Sequence, residues 1–170
     1  MRDIFKFGII LGTICVVAAG LLAGVNSITS RKIILLAQAE EELGLRDVLP
    51  EASRFEPVKK GEEIFYYKAI DIEGKLIGVV FKVTAKGYSS NIQTITGMLI
   101  DGRINAIKVL SQDETPGLGT RVSEPGFTLQ FKHIYDFSGV QAITGATISS
   151  RAVIESVRKK AEEIRGLIKE

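Results

Sequence analysis

The sequence predicts an α+β protein in which an N-terminal membrane-spanning helix precedes one domain built on an antiparallel sheet with flanking helices. Three observations support this prediction. Residues 7–25 carry no charge, residues 64–110 consist of extended runs broken by Gly turns, and residues 153–168 repeat apolar side chains at helical spacing. The length of 170 residues suits an anchor and a single soluble domain.

The charge-free run at residues 7–25 is the candidate membrane span. As a helix it would be about 28 Å long, close to the ~30 Å thickness of the bilayer's hydrocarbon core. We therefore predict that residues 1–29 anchor the chain in the lipid bilayer. A cleaved signal peptide is the alternative, since Arg2 and Lys6 precede the run and positions 18–24 are rich in small residues. The run is longer than the ~7–15 residues of a typical signal-peptide core.

Charge limits the possible partners and leaves the orientation open. Two basic residues precede the run and two follow it, at positions 31 and 32, so the positive-inside rule gives a tie. Residues 1–29 hold two of the 22 basic and one of the 20 acidic residues, which leaves 20 basic and 19 acidic in the remainder. This balance argues against nucleic acid as a partner.

Cys15 is the single cysteine and lies within the apolar run. Disulfides within the chain and metal or iron–sulfur sites built on several cysteines are therefore excluded. His133 is the single histidine, and one histidine without a second ligand makes a poor metal site. We expect no metal site, and any redox role requires an organic cofactor.

Beyond the anchor we predict a connecting helix at residues 30–50, with Ser30 as its N-cap and Pro50 at its end. The predicted domain covers residues 51–170. It should contain two β-hairpins, 64–72 with 76–85 and 92–100 with 104–110, joined by Glu73-Gly74 and Asp101-Gly102. A final helix should pack one face on the sheet through Val153, Val157, Ala161, Ile164 and Ile168.

The run Thr144 to Ser150 is the most informative stretch for function, because it holds four hydroxyl residues directly before the final helix. In the simplest interpretation Thr147 or Ser149 caps that helix and Gly145 permits the turn. The run could also bind a phosphate, since helix N-termini present free N–H groups and the positive end of the helix dipole. A hydrolase nucleophile is a poor fit, because the second glycine of Gly-x-Ser-x-Gly is absent.

A second shaped loop lies upstream at residues 114–120, where Pro116 followed by Gly117 predicts a type II turn. Its glycines match neither a phosphate-binding P-loop nor a dinucleotide fingerprint. Nucleotide hydrolysis therefore has no support in the sequence.

The Thr144-Gly145-Ala146-Thr147 motif, placed downstream of the 114–119 loop, resembles the FMN-binding domain found in the G subunit of the Rnf electron transport complex. The same domain occurs in the C subunit of the sodium-pumping NADH:quinone oxidoreductase. The likeness extends through Gly87-Tyr88, residues 101–104 and residues 151–153, and includes the single N-terminal anchor. It covers most of the chain.

The resemblance implies that Thr147 carries FMN through a phosphoester bond, which a separate Mg²⁺-dependent flavin transferase makes from FAD. It also implies that the 114–119 loop lies against the flavin, with Tyr88 and Leu118 among the groups bordering the ring. The cofactor-binding residues expected on this basis are Tyr88, Glu114, Thr115, Gly117, Leu118, Gly119, Thr144, Gly145, Ala146, Thr147, Ser149 and Ser150.

Two positions depart from the family pattern. Gln141 stands three residues before Thr144, where the modification motif usually has Asp, so hydrogen bonding is kept and the charge is lost. Ser89-Ser90 replaces expected glycines. A flavin-free extracytoplasmic binding or assembly module is therefore kept as an alternative of another class.

By resemblance, the chain is a single-pass subunit of the cell (inner) membrane that relays electrons through FMN within an ion-translocating ferredoxin:NAD⁺ oxidoreductase of the Rnf type. Its soluble domain would be extracytoplasmic, and its partners would be the other membrane subunits and the flavin transferase. It would not be a complete enzyme alone. The quinone-reductase C subunit, or a subunit of another membrane electron-transfer chain, is the nearest alternative.

Overall fold

The computed structural model describes the backbone of residues 2–168 and the side chains of residues 4–167. The predicted domain limits at residues 1 and 170, and the side chains of Arg2 and Ile168, lie outside the described residues. The chain divides into two compact units, one ending at Glu40 and one beginning at Glu41.

The first unit is the N-terminal part of one long helix, α1, which runs from Arg2 to Val48. The predicted anchor and the predicted connecting helix are therefore continuous. Over Ile4–Val48 this helix is long and apolar enough to cross a membrane. Within the charge-free run at residues 7–25, the Thr13 hydroxyl donates to the Ile9 carbonyl at 2.9 Å, so this polar group is satisfied inside the helix.

The second unit is built on a five-stranded sheet in which every neighbouring pair is antiparallel, in the order β1-β2-β3-β4-β5. The strands are β1 Arg54–Lys60, β2 Glu63–Ile70, β3 Leu76–Lys86, β4 Asn91–Leu99 and β5 Ile104–Ser111. Both predicted hairpins are confirmed, as β2-β3 and β4-β5. Gly74 and Gly102 take positive φ angles of 82° and 86° in their turns. Strand β1 was not predicted.

One face of the sheet carries the larger core. The inward side chains of β3, from Val79 to Val83 at every second residue, pack with the apolar stripe of α3, which spans Thr147–Ile168. Between β5 and α3 the chain forms two 3₁₀ segments and the short helix α2, Pro125–Thr128, which adds Phe127 to this core. The final helix and its packing face agree with the sequence prediction.

The other face of the sheet packs on the last turns of α1. Val48 and Leu49 lie against Val80 and Ile95, and all four are buried. Gly97 allows this close approach, because a Cβ there would stand 2.5 Å from the Val48 carbonyl oxygen.

Polar contacts also attach the end of α1 to the sheet. Glu41 accepts a hydrogen bond from the Tyr67 hydroxyl at 2.9 Å and pairs with Lys82 at 2.6 Å. Burial, together with the hydrogen bond and the charge of Glu41, raises the pKa of Tyr67 to about 12. The phenol therefore stays a neutral donor to Glu41 at physiological pH.

Candidate functional site

A buried carboxylate, Glu114, joins three separate segments at one end of the sheet. Its side chain lies after β5, is 4% exposed and accepts five hydrogen bonds. Oε1 accepts from the N–H groups of Ser89 and Ser90 at 3.1 and 2.9 Å and from the Ser90 hydroxyl at 3.1 Å. Oε2 accepts from the Tyr88 N–H at 3.2 Å and from the Ser149 hydroxyl at 2.6 Å.

These hydrogen bonds keep Glu114 ionised. Burial alone would raise its pKa, but the donors from Ser149, Ser90 and Ser89 together lower the pKa from 4.5 to about 2. The carboxylate is therefore negatively charged at physiological pH and is balanced by oriented N–H and O–H dipoles.

Two glycines make room for this carboxylate. A Cβ on Gly87 would collide with the Glu114 Oε1 atom, and a Cβ on Gly119 would lie 2.6 Å from the Glu114 Cβ and 3.1 Å from the Ser149 Oγ. Gly87 and Gly119 therefore allow the β3–β4 turn and the 114–119 loop to close around one side chain.

The loop after Glu114 has the predicted turn. The Leu118 N–H donates to the Thr115 carbonyl at 3.1 Å, and Gly117 has a φ of 73°, as the third residue of a type II turn requires. The Thr120 hydroxyl accepts from the Gly117 N–H at 3.0 Å and braces the turn. This geometry leaves the Leu118 side chain 47% exposed.

The hydroxyl run enters α3 through a tight turn at Gly145, whose φ is 85°. The Ala146 N–H donates to the Ile143 carbonyl at 3.0 Å. The Ser150 hydroxyl donates to the Ala146 carbonyl at 2.5 Å and accepts from the Ile143 N–H at 3.1 Å. Ser150 is fully buried, so its hydroxyl stabilises the turn.

Thr147 differs from the two serines. It is exposed, it is the first residue of α3, and its hydroxyl has no hydrogen-bond partner within residues 2–168. In the same described range, the N–H groups of Thr147, Ile148 and Ser149 lack acceptors, as expected for a helix start without a side-chain cap. Neither Thr147 nor Ser149 caps the helix, because the first lies within it and the second bonds to Glu114.

Exposed apolar side chains surround this helix start. Tyr88 is 67% exposed and Ile148 is 57% exposed, and Leu118 lies beside Gly145, where a Cβ would be 3.5 Å from its Cδ2 atom. Ile148 was not among the predicted site residues. The sequence clue to Ile148 was its position between Thr147 and Ser149 at the start of α3. The Ile148 side chain is exposed there, whereas Ser149 is buried.

The structure thus brings together most of the predicted site residues. Glu114 links Tyr88 to Ser149, and the 115–119 turn and the 144–147 turn meet at Leu118 and Gly145. Glu114, Ser149 and Ser150 are buried, whereas Thr144, Gly145 and Thr147 are exposed. Contacts of these residues with a cofactor remain predictions.

Gln141 and His133 lie outside this network. The Gln141 backbone is held by Gln130, whose side chain accepts from its N–H at 2.8 Å, while the Gln141 residue itself is exposed. His133 is exposed and has a φ of 58°, the only positive value of a non-glycine residue in the described part of the chain. It precedes the bridge between Ile134 and Ile104.

The site lies within a recognisable domain. Residues 87–162 match the family described as FMN-binding domain. The 87–162 range begins at the glycine beside Glu114 and includes every residue predicted to bind the cofactor.

The chain is also similar to two G subunits of ion-translocating complexes along nearly its full length. It is 32% identical to the G subunit of the ion-translocating oxidoreductase complex of Methanosarcina acetivorans, covering 96% of this chain and 95% of that protein. It is 29% identical to the G subunit of the Na⁺-translocating ferredoxin:NAD⁺ oxidoreductase complex of Acetobacterium woodii, covering 99% and 95%. Among solved structures, NqrC of Shewanella oneidensis is 22% identical, with a TM-score of 0.48, covering 71% and 74%.

Identity at this level over nearly the whole length shows a common family, and the sequence-based expectation of an Rnf-type G subunit is confirmed. The chain belongs to the family of G subunits of Rnf-type ion-translocating oxidoreductase complexes, and its flavin-binding, electron-transfer domain lies in residues 87–162.

Proposed function

We propose that this chain relays electrons through FMN covalently attached to Thr147, as the membrane-anchored flavin subunit of an Rnf-type ferredoxin:NAD⁺ oxidoreductase. The single observation that supports Thr147 as the attachment site is its free, exposed hydroxyl in the first turn of α3. In this role the other membrane subunits of the complex are its partners, as the names of its relatives indicate for those proteins.

The start of α3 suits a phosphodiester. Three N–H groups without acceptors, those of residues 147–149, point toward the helix N-terminus, where the helix dipole also favours negative charge. Gly145 and Ala146 add little bulk in front of Thr147. The residues present therefore fit an FMN phosphate on the Thr147 oxygen.

Attachment would follow the transfer chemistry implied by the family. The Thr147 oxygen forms a bond to the FMN phosphorus of FAD, the phosphoanhydride bond to AMP breaks, and the hydroxyl proton leaves with the AMP phosphate. A separate Mg²⁺-dependent flavin transferase supplies the catalytic groups. This chain contributes the acceptor hydroxyl and the helix N–H groups that bind the resulting phosphodiester.

The exposed apolar side chains next to Thr147 suit the flavin ring. Tyr88, Leu118 and Ile148 project from the three segments that Glu114 and the Gly145 turn bring together. Flavin sites combine apolar or aromatic walls with a few polar groups, and the bound FMN supplies the redox chemistry. These three side chains would shield one side of the ring from water.

We also propose that the second unit lies outside the cytoplasm and that residues 7–25 of α1 form a single membrane span. Its support is the length and hydropathy of Ile4–Val48 and the family resemblance. Protease digestion of the 41–170 unit in sealed vesicles of known orientation tests this placement. Digestion only from the cytoplasmic side would contradict it.

The attachment site is tested by co-expressing the full-length chain with a flavin transferase. A denaturing gel under ultraviolet light should show a fluorescent band, and peptide mass spectrometry should place FMN on Thr147. Thr147→Ala should abolish the band, whereas Ser123→Ala, which removes an exposed hydroxyl in a neighbouring 3₁₀ segment, should keep it. A flavin on Thr144, or a band that survives Thr147→Ala, would contradict the proposal.

A further inference from the structure

The hydroxyl run offers a transferase four candidate oxygens within seven residues, on Thr144, Thr147, Ser149 and Ser150. Their chemistry is similar, so sequence alone does not distinguish the acceptor. Ser150 is unavailable as an acceptor because its hydroxyl is hydrogen-bonded to the Ala146 carbonyl and the Ile143 N–H. Ser149, two residues beyond Thr147, is made inaccessible by its hydrogen bond to Glu114, which is distant in the sequence.

Building on the proposed flavin attachment, we propose that Glu114 excludes Ser149 as an acceptor by holding its hydroxyl inward, which leaves Thr147 as the accessible hydroxyl among Thr147, Ser149 and Ser150 at the start of α3. Glu114 is a positioning residue in this scheme. It acts through Ser149 and does not itself contact the transferred group.

Solvent access distinguishes Ser149 from Thr147. Ser149 is 1% exposed, and its Oγ atom donates to Glu114 Oε2 at 2.6 Å. A hydroxyl must reach the phosphorus of FAD to accept FMN, and a short hydrogen bond to an ionised carboxylate must break before Ser149 can turn outward. Such charge-assisted bonds are about twice as strong as neutral ones.

The space around Ser149 is also limited. A Cβ on Gly119 would lie only 3.1 Å from the Ser149 Oγ atom, so the loop backbone fits closely around the serine. A phosphodiester on Ser149 in this orientation would overlap the 114–119 loop. Thr147 meets no such obstacle, because its side chain is exposed.

The charge of Glu114 disfavours an anionic group on Ser149. The buried Glu114 carboxylate is negative, and a phosphodiester on Ser149 would bring a second negative charge next to it in a site shielded from water. Two negative charges in such close contact repel each other strongly. At Thr147 the same phosphodiester instead faces free N–H groups of the helix start.

The test is the distribution of FMN between Ser149 and Thr147, measured by peptide mass spectrometry on the full-length chain co-expressed with a flavin transferase. Glu114→Gln removes the charge and keeps the size of the side chain. The ratio of FMN on Ser149 to FMN on Thr147 should rise by about tenfold or more, equivalent to about 1.4 kcal/mol of lost discrimination. Glu114→Ala should raise the ratio further.

Asp113→Asn is the matched control. It makes the same change in charge at the neighbouring residue, which is exposed and whose side chain has no hydrogen bond to the serines in the described part of the chain. The ratio should stay at its wild-type value. An unchanged ratio in folded Glu114→Gln and Glu114→Ala chains, with folding verified by near-ultraviolet circular dichroism, would overturn the inference.

Thr147→Ala in the presence of Glu114 gives a second arm that leaves the carboxylate network intact. No FMN should appear on Ser149 in that variant, and FMN found there would overturn the inference even if the Glu114 variants failed to fold. A wild-type chain without FMN on Thr147 would overturn the proposed attachment and this inference with it. That outcome differs visibly from a wild-type chain with FMN on Thr147 and an unchanged ratio in the variants.

Discussion

The Ser149 hydroxyl donates to the Glu114 carboxylate at 2.6 Å, across 35 residues of sequence, and so fixes the start of α3 to the loop that follows β5. The same carboxylate holds the β3–β4 turn through the N–H groups of Tyr88, Ser89 and Ser90. The segments that surround Thr147 are thus organised by one buried charge.

Removing this carboxylate should destabilise the second unit. Glu114→Ala would leave the buried Ser149 hydroxyl and the part-buried N–H groups of Ser89 and Ser90 without their acceptor. An unsatisfied buried polar group costs about 1–3 kcal/mol. We expect a loss of about 3 kcal/mol or more in the free energy of unfolding, measured by denaturant unfolding of the full-length chain in detergent. Glu114→Gln should cost less, and Asp113→Asn should cost almost nothing. Equal stability of Glu114→Ala and wild type would contradict the role of the network.

Acid should weaken the same network. Because the pKa of Glu114 is lowered from 4.5 to about 2, ionised Glu114 contributes stability that is fully present above pH 4.5 and is lost as the pH falls toward 2. A shift of this size corresponds to about 3 kcal/mol. Unfolding free energies measured between pH 5 and pH 2 should fall steeply in wild type and less steeply in Glu114→Gln. Parallel pH profiles for the two proteins would show that Glu114 does not have this lowered pKa.

The two glycines beside Glu114 should not tolerate a side chain. In Gly119→Ala the new methyl group would stand 2.6 Å from the Glu114 Cβ and 2.7 Å from its Oε2, so the loop must move and the Ser149 contact must loosen. We expect a loss of about 1–3 kcal/mol in stability and less FMN on the chain after co-expression with a flavin transferase. Gly126→Ala is the matched control, because a Cβ there would meet no atom within 4 Å. Similar effects of the two substitutions would contradict this explanation.

Gln141 is the position at which a substitution should improve flavin attachment. It is exposed, three residues before Thr144, and its backbone is held in place by Gln130, so a side-chain change there should leave the fold intact. If a transferase uses the carboxylate usual at this position, Gln141→Asp should speed the appearance of fluorescent protein in a timed reaction with FAD. Gln141→Glu offers the same charge on a longer side chain and should be less effective. A slower reaction with Gln141→Asp would mean that this chain's own motif is adapted to glutamine.

The sequence anticipated the hairpins and the final helix because local patterns determine them. Asp101-Gly102 sits between two extended runs, and the stripe from Val153 to Ile164 has helical spacing. Strand β1 escaped prediction because Pro57 and its charged neighbours are unfavourable in a strand interior. An edge strand tolerates them, since one side of β1 needs no partner.

The organisation of the site could be predicted only in part. The type II turn at Gly117 and the importance of Thr147 follow from local sequence and family resemblance. The burial of Glu114 and its contact with Ser149 do not, because the bonded groups come from residues 88–90, 114 and 149, which only the folded sheet brings together. The structure shows Glu114 enclosed by its own donors and bonded to Ser149, two residues beyond the exposed Thr147. Its expected place against the flavin stays a prediction.

The most direct test of the account is peptide mass spectrometry of this chain isolated from native membranes with the other subunits of its complex. We expect a single FMN, bound as a phosphoester to Thr147, with Thr144, Ser149 and Ser150 unmodified. A chain without covalent flavin, or with flavin on any other residue, would contradict it.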